Sequence, residues 1–120
     1  MIYQGSCHCG KVAFEVEVQN EPGPVLACNC SICERRGSLL WFVSQDKLTL
    51  KTPSDAAATY TFNKHAIAHR FCATCGIHTH GEAADPQGKR VAAINVLCLA
   101  DLDLAALPVR HFDGRAVPGP

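Results

Sequence analysis

Cys28-Asn29-Cys30-Ser31-Ile32-Cys33 places three thiols inside six residues. A disulfide needs Cα atoms about 4.4–6.8 Å apart with the side chains turned toward each other. Thiols this close in sequence do not pair comfortably with one another. A Cys-X-Cys-X-X-Cys run instead aims several thiolates at one small centre, as a metal site requires. Three ligands are one short of a closed tetrahedron, and the open position could take water or a substrate.

Two further pairs stand far apart in the chain, Cys7-His8-Cys9-Gly10 and Cys72-Ala73-Thr74-Cys75-Gly76. Two short pairs brought together by a fold make a four-cysteine zinc site. The glycine after each pair lets the backbone turn tightly and aim amides at the sulfurs. Cys7, Cys9, Cys72 and Cys75 are therefore expected to form a closed structural site, contributing on the order of 10 kcal/mol to folding. Redox chemistry is the rival reading of Cys-X-X-Cys, but no βαβ pattern surrounds it. Cys98 lies between Leu97 and Leu99 and reads as a small buried hydrophobe. It is also a candidate, with the histidines, to close the three-cysteine site. His78 and His80 alternate and so share one strand face near Cys75. His65 and His69 are the histidines placed to approach the three-cysteine site. Arg35 and Arg36 follow that cluster directly and suit either a solvated loop or recognition of a carboxylate.

Composition sets bounds on these readings. Eight cysteines with no basic and apolar leader read as metal ligands in a reducing cytoplasm before they read as secreted disulfides. Eleven basic and eleven acidic residues balance, which leaves no electrostatic footprint for nucleic acid. No apolar run approaches the roughly 20 residues that span a bilayer. The length fits one domain, 1–120, and leaves the oligomeric state open.

The elements that must hold these side chains are mostly short strands. Val12, Phe14, Val16 and Val18 alternate with polar or small residues, a half-buried strand. Leu39–Val43, Lys47–Lys51, Ala58–Phe62, Ile67–Phe71, His78–Gly81 and Arg90–Val96 read as further strands, with Ala58–Phe62 and Ile67–Phe71 paired. Glu34–Ser38 reads as a polar loop, Glu82–Lys89 as a hairpin loop, Asp101–Leu107 as one or two helical turns, and Asp113–Pro120 as a loose end. Short strands with turns between them and little helix indicate a mainly β domain built of small antiparallel sheets.

The three thiol motifs, in this order, resemble the glutathione-dependent formaldehyde-activating enzyme family, which includes the centromere protein V group. Asn95-Val96-Leu97-Cys98-Leu99 and Phe112-Asp113-Gly114-Arg115 are similar to that family's C-terminal half. The resemblance implies an Mss4-like zinc-binding fold and two zinc sites. Cys7, Cys9, Cys72 and Cys75 would hold a structural zinc. Cys28, Cys30 and Cys33 would hold a reactive one; independently of the resemblance, a site with three thiolate ligands is expected to lose its metal readily. The resemblance further implies a carbon–sulfur lyase, S-(hydroxymethyl)glutathione synthase-like, joining a thiol such as glutathione to formaldehyde or another small aldehyde. The competing expectations are a non-catalytic zinc module that serves as an interaction or scaffold protein, and a thiol-based redox protein.

Overall fold

A computed structural model describes residues 1–117. Among the described residues, ten strands lie in two sheets. The smaller sheet runs β1 (Ile2–Ser6), β2 (Ala13–Glu17), β5 (Leu48–Leu50). The larger has seven strands, in the order β10 (Val109–Phe112), β3 (Val25–Cys28), β4 (Leu40–Ser44), β9 (Arg90–Asn95), β8 (His78–Ala84), β7 (Ala68–Cys72), β6 (Ala57–Tyr60). The fold is mainly β, as the sequence indicates. Pairing is antiparallel except at one edge, where β10 lies parallel to β3.

Period-two alternation explains which faces meet. Phe14 and Val16 of β2 are fully buried and pack against Trp41 and Val43 of β4 and Ala92 and Ile94 of β9. Burial of each of Phe14, Val16, Val43 and Ile94 contributes about 1.5–3 kcal/mol. The residues between them, Phe42 on β4 and Val91 and Ala93 on β9, fall on the opposite face of the large sheet. That outer face is not covered by the small sheet, and it becomes part of the functional site.

Three stretches differ from expectation. The polar run after Ile32 is not a loop: Ser31–Arg36 forms a short helix, α1, ended by Gly37 in the left-handed conformation (φ 71°). Glu and Arg are good helix formers, and polarity alone does not separate an exposed helix from a loop. His78–Gly81 is extended into a seven-residue strand that consumes the first part of the expected loop, leaving the tight turn Asp85–Lys89. The tail is not loose at Asp113–Arg115, where it is tied back to the first half of the chain; residues 118–120 lie outside the described residues.

Candidate metal centre and adjoining cavity

The four-cysteine cluster is built from two matching knuckles. Each returns on itself through a backbone hydrogen bond, Cys7 N–H to Val12 O (3.0 Å) and Cys72 N–H to Ile77 O (3.0 Å). Gly10 (φ 84°) and Gly76 (φ 82°) adopt the left-handed turn that a side chain resists. The four Sγ atoms all lie within 4.8 Å of one another. Cys7 and Cys9 are 3.7 Å apart and Cys9 and Cys72 3.6 Å. A tetrahedron with Zn–S bonds of about 2.3 Å has sulfurs about 3.8 Å apart, so the donor set fits zinc in both type and spacing.

The amides expected to face these sulfurs do so: Val12 N–H on Cys7, and Thr74 and Cys75 N–H on Cys72, at 3.3–3.4 Å. Hydrogen bonds from the amides of Cys9 and Ile77 pull the Cys75 thiol down to about 6. The amides of Cys75 and Thr74 lower Cys72. Cys9 moves the other way: the Lys11 amide opposes the rise, but burial and the thiols of Cys72, Cys7 and Cys75 drive it up to about 11. Without a metal, Cys72 and Cys75 thus give up their protons more readily than Cys9.

The three-cysteine cluster sits where β3 runs into α1. Its three Sγ atoms also lie within 4.8 Å of one another, and among the described residues no histidine, carboxylate or further thiol joins them within that span. Burial opposes ionisation of Cys30, but the Cys33 amide, the Cys33 and Cys28 thiols and the Ile32 amide overcome it, and its pKa is lowered. Cys33, more deeply placed, is pushed up to about 12 by burial and then by Cys30.

Arg36 ties this cluster to β7. Its Nη2 donates to Cys33 Sγ (3.6 Å) and its Nη1 to His69 Nδ1 (3.0 Å). Since a guanidinium can only donate, His69 accepts at Nδ1 and carries its proton on Nε2. Burial, then the Arg36 charge, lowers the His69 pKa to about 4, and its ring stacks on Phe62 at 5.4 Å. His78 is next to it, at a ring separation of 6.5 Å, with Nδ1 2.9 Å from Ser38 Oγ and Nε2 buried without a partner.

The C-terminal segment completes the other wall. Asn29 Nδ2 donates to Asp113 Oδ1 (2.9 Å), Arg115 N–H donates to Asn29 Oδ1 (3.2 Å), and Arg115 pairs with Glu34. Gly114 lies so close to the cluster that a Cβ there would stand 2.6 Å from Cys28 Sγ and 2.9 Å from Cys30 Cβ. Together these pieces frame a cavity of about 550 Å³ that opens from Cys28, Cys30 and Cys33 over the outer face of the large sheet. Beyond Arg36, His69 and His78 a second depression, of about 690 Å³, reaches Cys7 and Cys98.

The other sequence candidates are placed differently. Cys98 Sγ lies 3.5 Å from the His78 carbonyl. Burial, then Cys7 and Cys75, raises its pKa to about 11, which puts it beside the four-cysteine cluster rather than at the three-cysteine one. His65 is exposed and bound to Thr61 Oγ1 (2.7 Å), and it does not line the 550 Å³ cavity. His80 is buried against Glu82 (3.1 Å). Arg35 turns back on the Ser31 carbonyl (2.8 Å). Asn29, Asp113 and Gly114 are not marked out by their residue types. The signal for Asp113 and Gly114 is the motif Phe112-Asp113-Gly114-Arg115, which carries a likeness without a role, and for Asn29 it is its place between Cys28 and Cys30.

A mainly β scaffold that gathers distant cysteines into two clusters able to hold metal ions defines the class. Within it, the chain belongs to the family described as "Glutathione-dependent formaldehyde-activating enzyme", whose model matches residues 2–112. A 35-residue stretch is 51% identical to a Halomonas elongata protein that carries the family's name. That match covers 29% of this chain and 22% of the relative, so the chain aligns with about a fifth of that protein's length. The fold is similar to the crystal structure of a Rhodobacter sphaeroides protein, with a TM-score of 0.76 and 30% identity over 89% of this chain and 99% of that one.

Proposed function

We propose that this single domain, residues 1–120, is a zinc-dependent, carbon–sulfur lyase-type enzyme that joins a thiol to formaldehyde or a similar small aldehyde. In this reading Cys28, Cys30 and Cys33 are the catalytic metal ligands, and Cys7, Cys9, Cys72 and Cys75 hold a structural zinc. The observation that carries it is the three-cysteine cluster, with no fourth ligand in reach among the described residues, facing a cavity of small-molecule size. The family name supports glutathione and formaldehyde as the first substrates to try. A cytoplasmic setting suits free thiols; among the described residues, no helix is long and apolar enough to cross a membrane.

Zinc, when bound by three thiolates, supplies an open coordination position at which a thiol is held deprotonated. The chain's own residues do the rest. Arg36 holds Cys33 in place and offsets part of the thiolate charge. The thiol loses its proton to solvent, because His69, lowered to about 4, is too weak a base to keep it. The sulfur lone pair forms the new S–C bond, and the carbonyl π pair moves onto oxygen. His69 Nε2–H, fixed by the bond that Arg36 makes to Nδ1, donates a hydrogen bond to that alkoxide. Water then supplies the proton that completes the hemithioacetal.

The test is the rate of hemithioacetal formation in zinc-loaded wild type and Cys30→Ser, read by NMR, with metal content measured in both. The expected result is loss of the accelerated rate in the variant while the zinc at the four-cysteine site is kept. A variant that retained the full rate would overturn the proposal.

A further inference from the structure

The cavity beside the three-cysteine cluster has a composition of its own. Its floor is a row of outer-face residues in register across four strands: Phe42 opposite Ala93, Ala93 opposite Gly81, and Gly81 opposite His69. The middle two are the smallest side chains available. A Cβ at Gly81 would meet nothing nearer than Ile67 Cγ2 at 3.7 Å. That is ordinary contact, so Ile67 flanks Gly81, and the small pair Gly81 and Ala93 forms the low floor of a trough lined by larger side chains. It ends at His69, which through Arg36 touches Cys33. Leu40, Phe62, Ile67, Val91 and Phe112 also line the cavity. Phe42 is 53% exposed and Phe112 44%, so apolar surface stands open to water at the mouth of the reactive cluster.

Most of the charged groups in the lining are already engaged. Arg36 binds Cys33 and His69 through its two Nη atoms, and only its Nε is left without a partner among the described residues. Arg115 pairs with Glu34. Glu82 accepts from Gln45 (2.8 Å) and faces His80 (3.1 Å) and Arg70 (3.6 Å). A ligand with two carboxylates would have to dislodge these partners or leave its charges desolvated and unpaired, which is costly. A hydrocarbon group in the same place covers Phe42, Ala93 and Phe62 without breaking any of these contacts.

We infer that the thiol taken by this site carries an apolar, uncharged organic group, which lies in the trough over Ala93 and Gly81, in preference to a polyanionic thiol such as glutathione. The inference rests on the reading above, that the three-cysteine site binds a thiol, and it specifies which kind. Each methylene moved from water into the trough strengthens binding about fourfold.

The experiment is a titration of cobalt-substituted protein with benzyl mercaptan, 2-mercaptoethanol and glutathione. It follows thiolate-to-cobalt absorption and, in parallel, binding heat on the zinc form. Benzyl mercaptan is expected to bind at least about tenfold more tightly than either of the others. Ala93→Phe, which fills the floor, should weaken benzyl mercaptan about tenfold and narrow its advantage over 2-mercaptoethanol. Phe42→Ala, which removes a wall at an exposed position, should narrow it in the same direction should the first variant fold poorly. Glutathione binding as tightly as benzyl mercaptan, or an advantage untouched by both variants, would overturn the inference and leave the proposed reaction standing. A concentration-dependent dimer that buries the trough and excludes benzyl mercaptan would overturn it too. No spectral response to any thiol would instead remove the proposed function beneath it.

Discussion

Gly114→Ala is the substitution through which the wall of the three-cysteine site can be measured. The backbone there is outside the left-handed region, so alanine meets no conformational penalty and any effect comes from contact. The added methyl would stand 2.6 Å from Cys28 Sγ and 2.9 Å from Cys30 Cβ. Non-bonded heavy atoms of this kind prefer about 3.5–4.0 Å, so either the cluster or the C-terminal segment must retreat by about 1 Å. The segment is the weaker side. It is held by Asn29 Nδ2–H to Asp113, by Arg115 N–H to Asn29 and by the exposed Arg115–Glu34 pair. Hydrogen bonds are worth about 0.5–1.5 kcal/mol each and an exposed ion pair about 0–1 kcal/mol. Detaching the segment should therefore cost about 1–4 kcal/mol. For a chain of this size that is a fall in Tm of about 4–16 °C. Calorimetric melting reads the stability, and release of zinc to a chromophoric chelator reads the site. The expected result is a lowered Tm, faster release of the metal held by Cys28, Cys30 and Cys33, and unchanged release from the four-cysteine site. A variant that melts and releases zinc like wild type would refute the reasoning that this segment presses on the cluster.

Two further outcomes follow from the same geometry. Stripping zinc with a strong chelator, or making Cys72→Ser, should unfold the chain. A structural zinc site is worth on the order of 10 kcal/mol and a domain's whole stability is about 5–15 kcal/mol; a metal-free protein with an unchanged near-UV spectrum and melting curve would contradict this. Stability should also fall with acid earlier than carboxylates alone dictate. Burial, then Arg36, takes His78 to about 3 and His69 to about 4, below the roughly 6.5 of an unfolded histidine. Between these values the unfolded chain binds more protons, so stability present above about pH 6.5 is lost as the pH falls toward 4. Melting temperatures from pH 7.5 to 5 should show this loss, and His78→Gln should flatten it; parallel curves for the two proteins would rule it out.

The parts of the fold that the sequence revealed are those whose signal is local. Val12–Val18 alternates, and Ala13–Glu17 is a strand with Phe14 and Val16 inward. Ala57–Tyr60 and Ala68–Cys72 pair as expected. The cysteine groupings are legible because ligands that share a centre must be close, and chain spacing alone secures that for Cys28, Cys30 and Cys33. Other elements carry no such signal. All four residues of β10 are exposed, so no alternation marks it; backbone pairing with β3 holds it in place. β1 buries only Gly5, which has no side chain to register as apolar. The trough is hidden for a related reason. Gly81 and Ala93 read as ordinary small residues in strands, and only their cross-strand register turns them into one floor.

What stands in front of the three-cysteine cluster depends on register as well. Val25 N–H donates to Pro108 O (2.9 Å), and the parallel ladder then sets Val109 opposite Val25 and Phe112 opposite Cys28. Two residues further on, the chain crosses the sulfurs, and that residue is Gly114. A slip of one position along β3 would bring the Asp113 or Arg115 side chain there instead, because register fixes which residue meets which. A carboxylate in that place could become the fourth ligand of any metal the cluster held, and a guanidinium could pair with a thiolate and weaken it as a ligand. Keeping the site open to a ligand thus depends on a glycine more than eighty residues from the cysteines, delivered by an edge strand that has no buried face. Six residues of cysteine spacing can state that a ligand is missing, but they cannot state what the protein puts in its place.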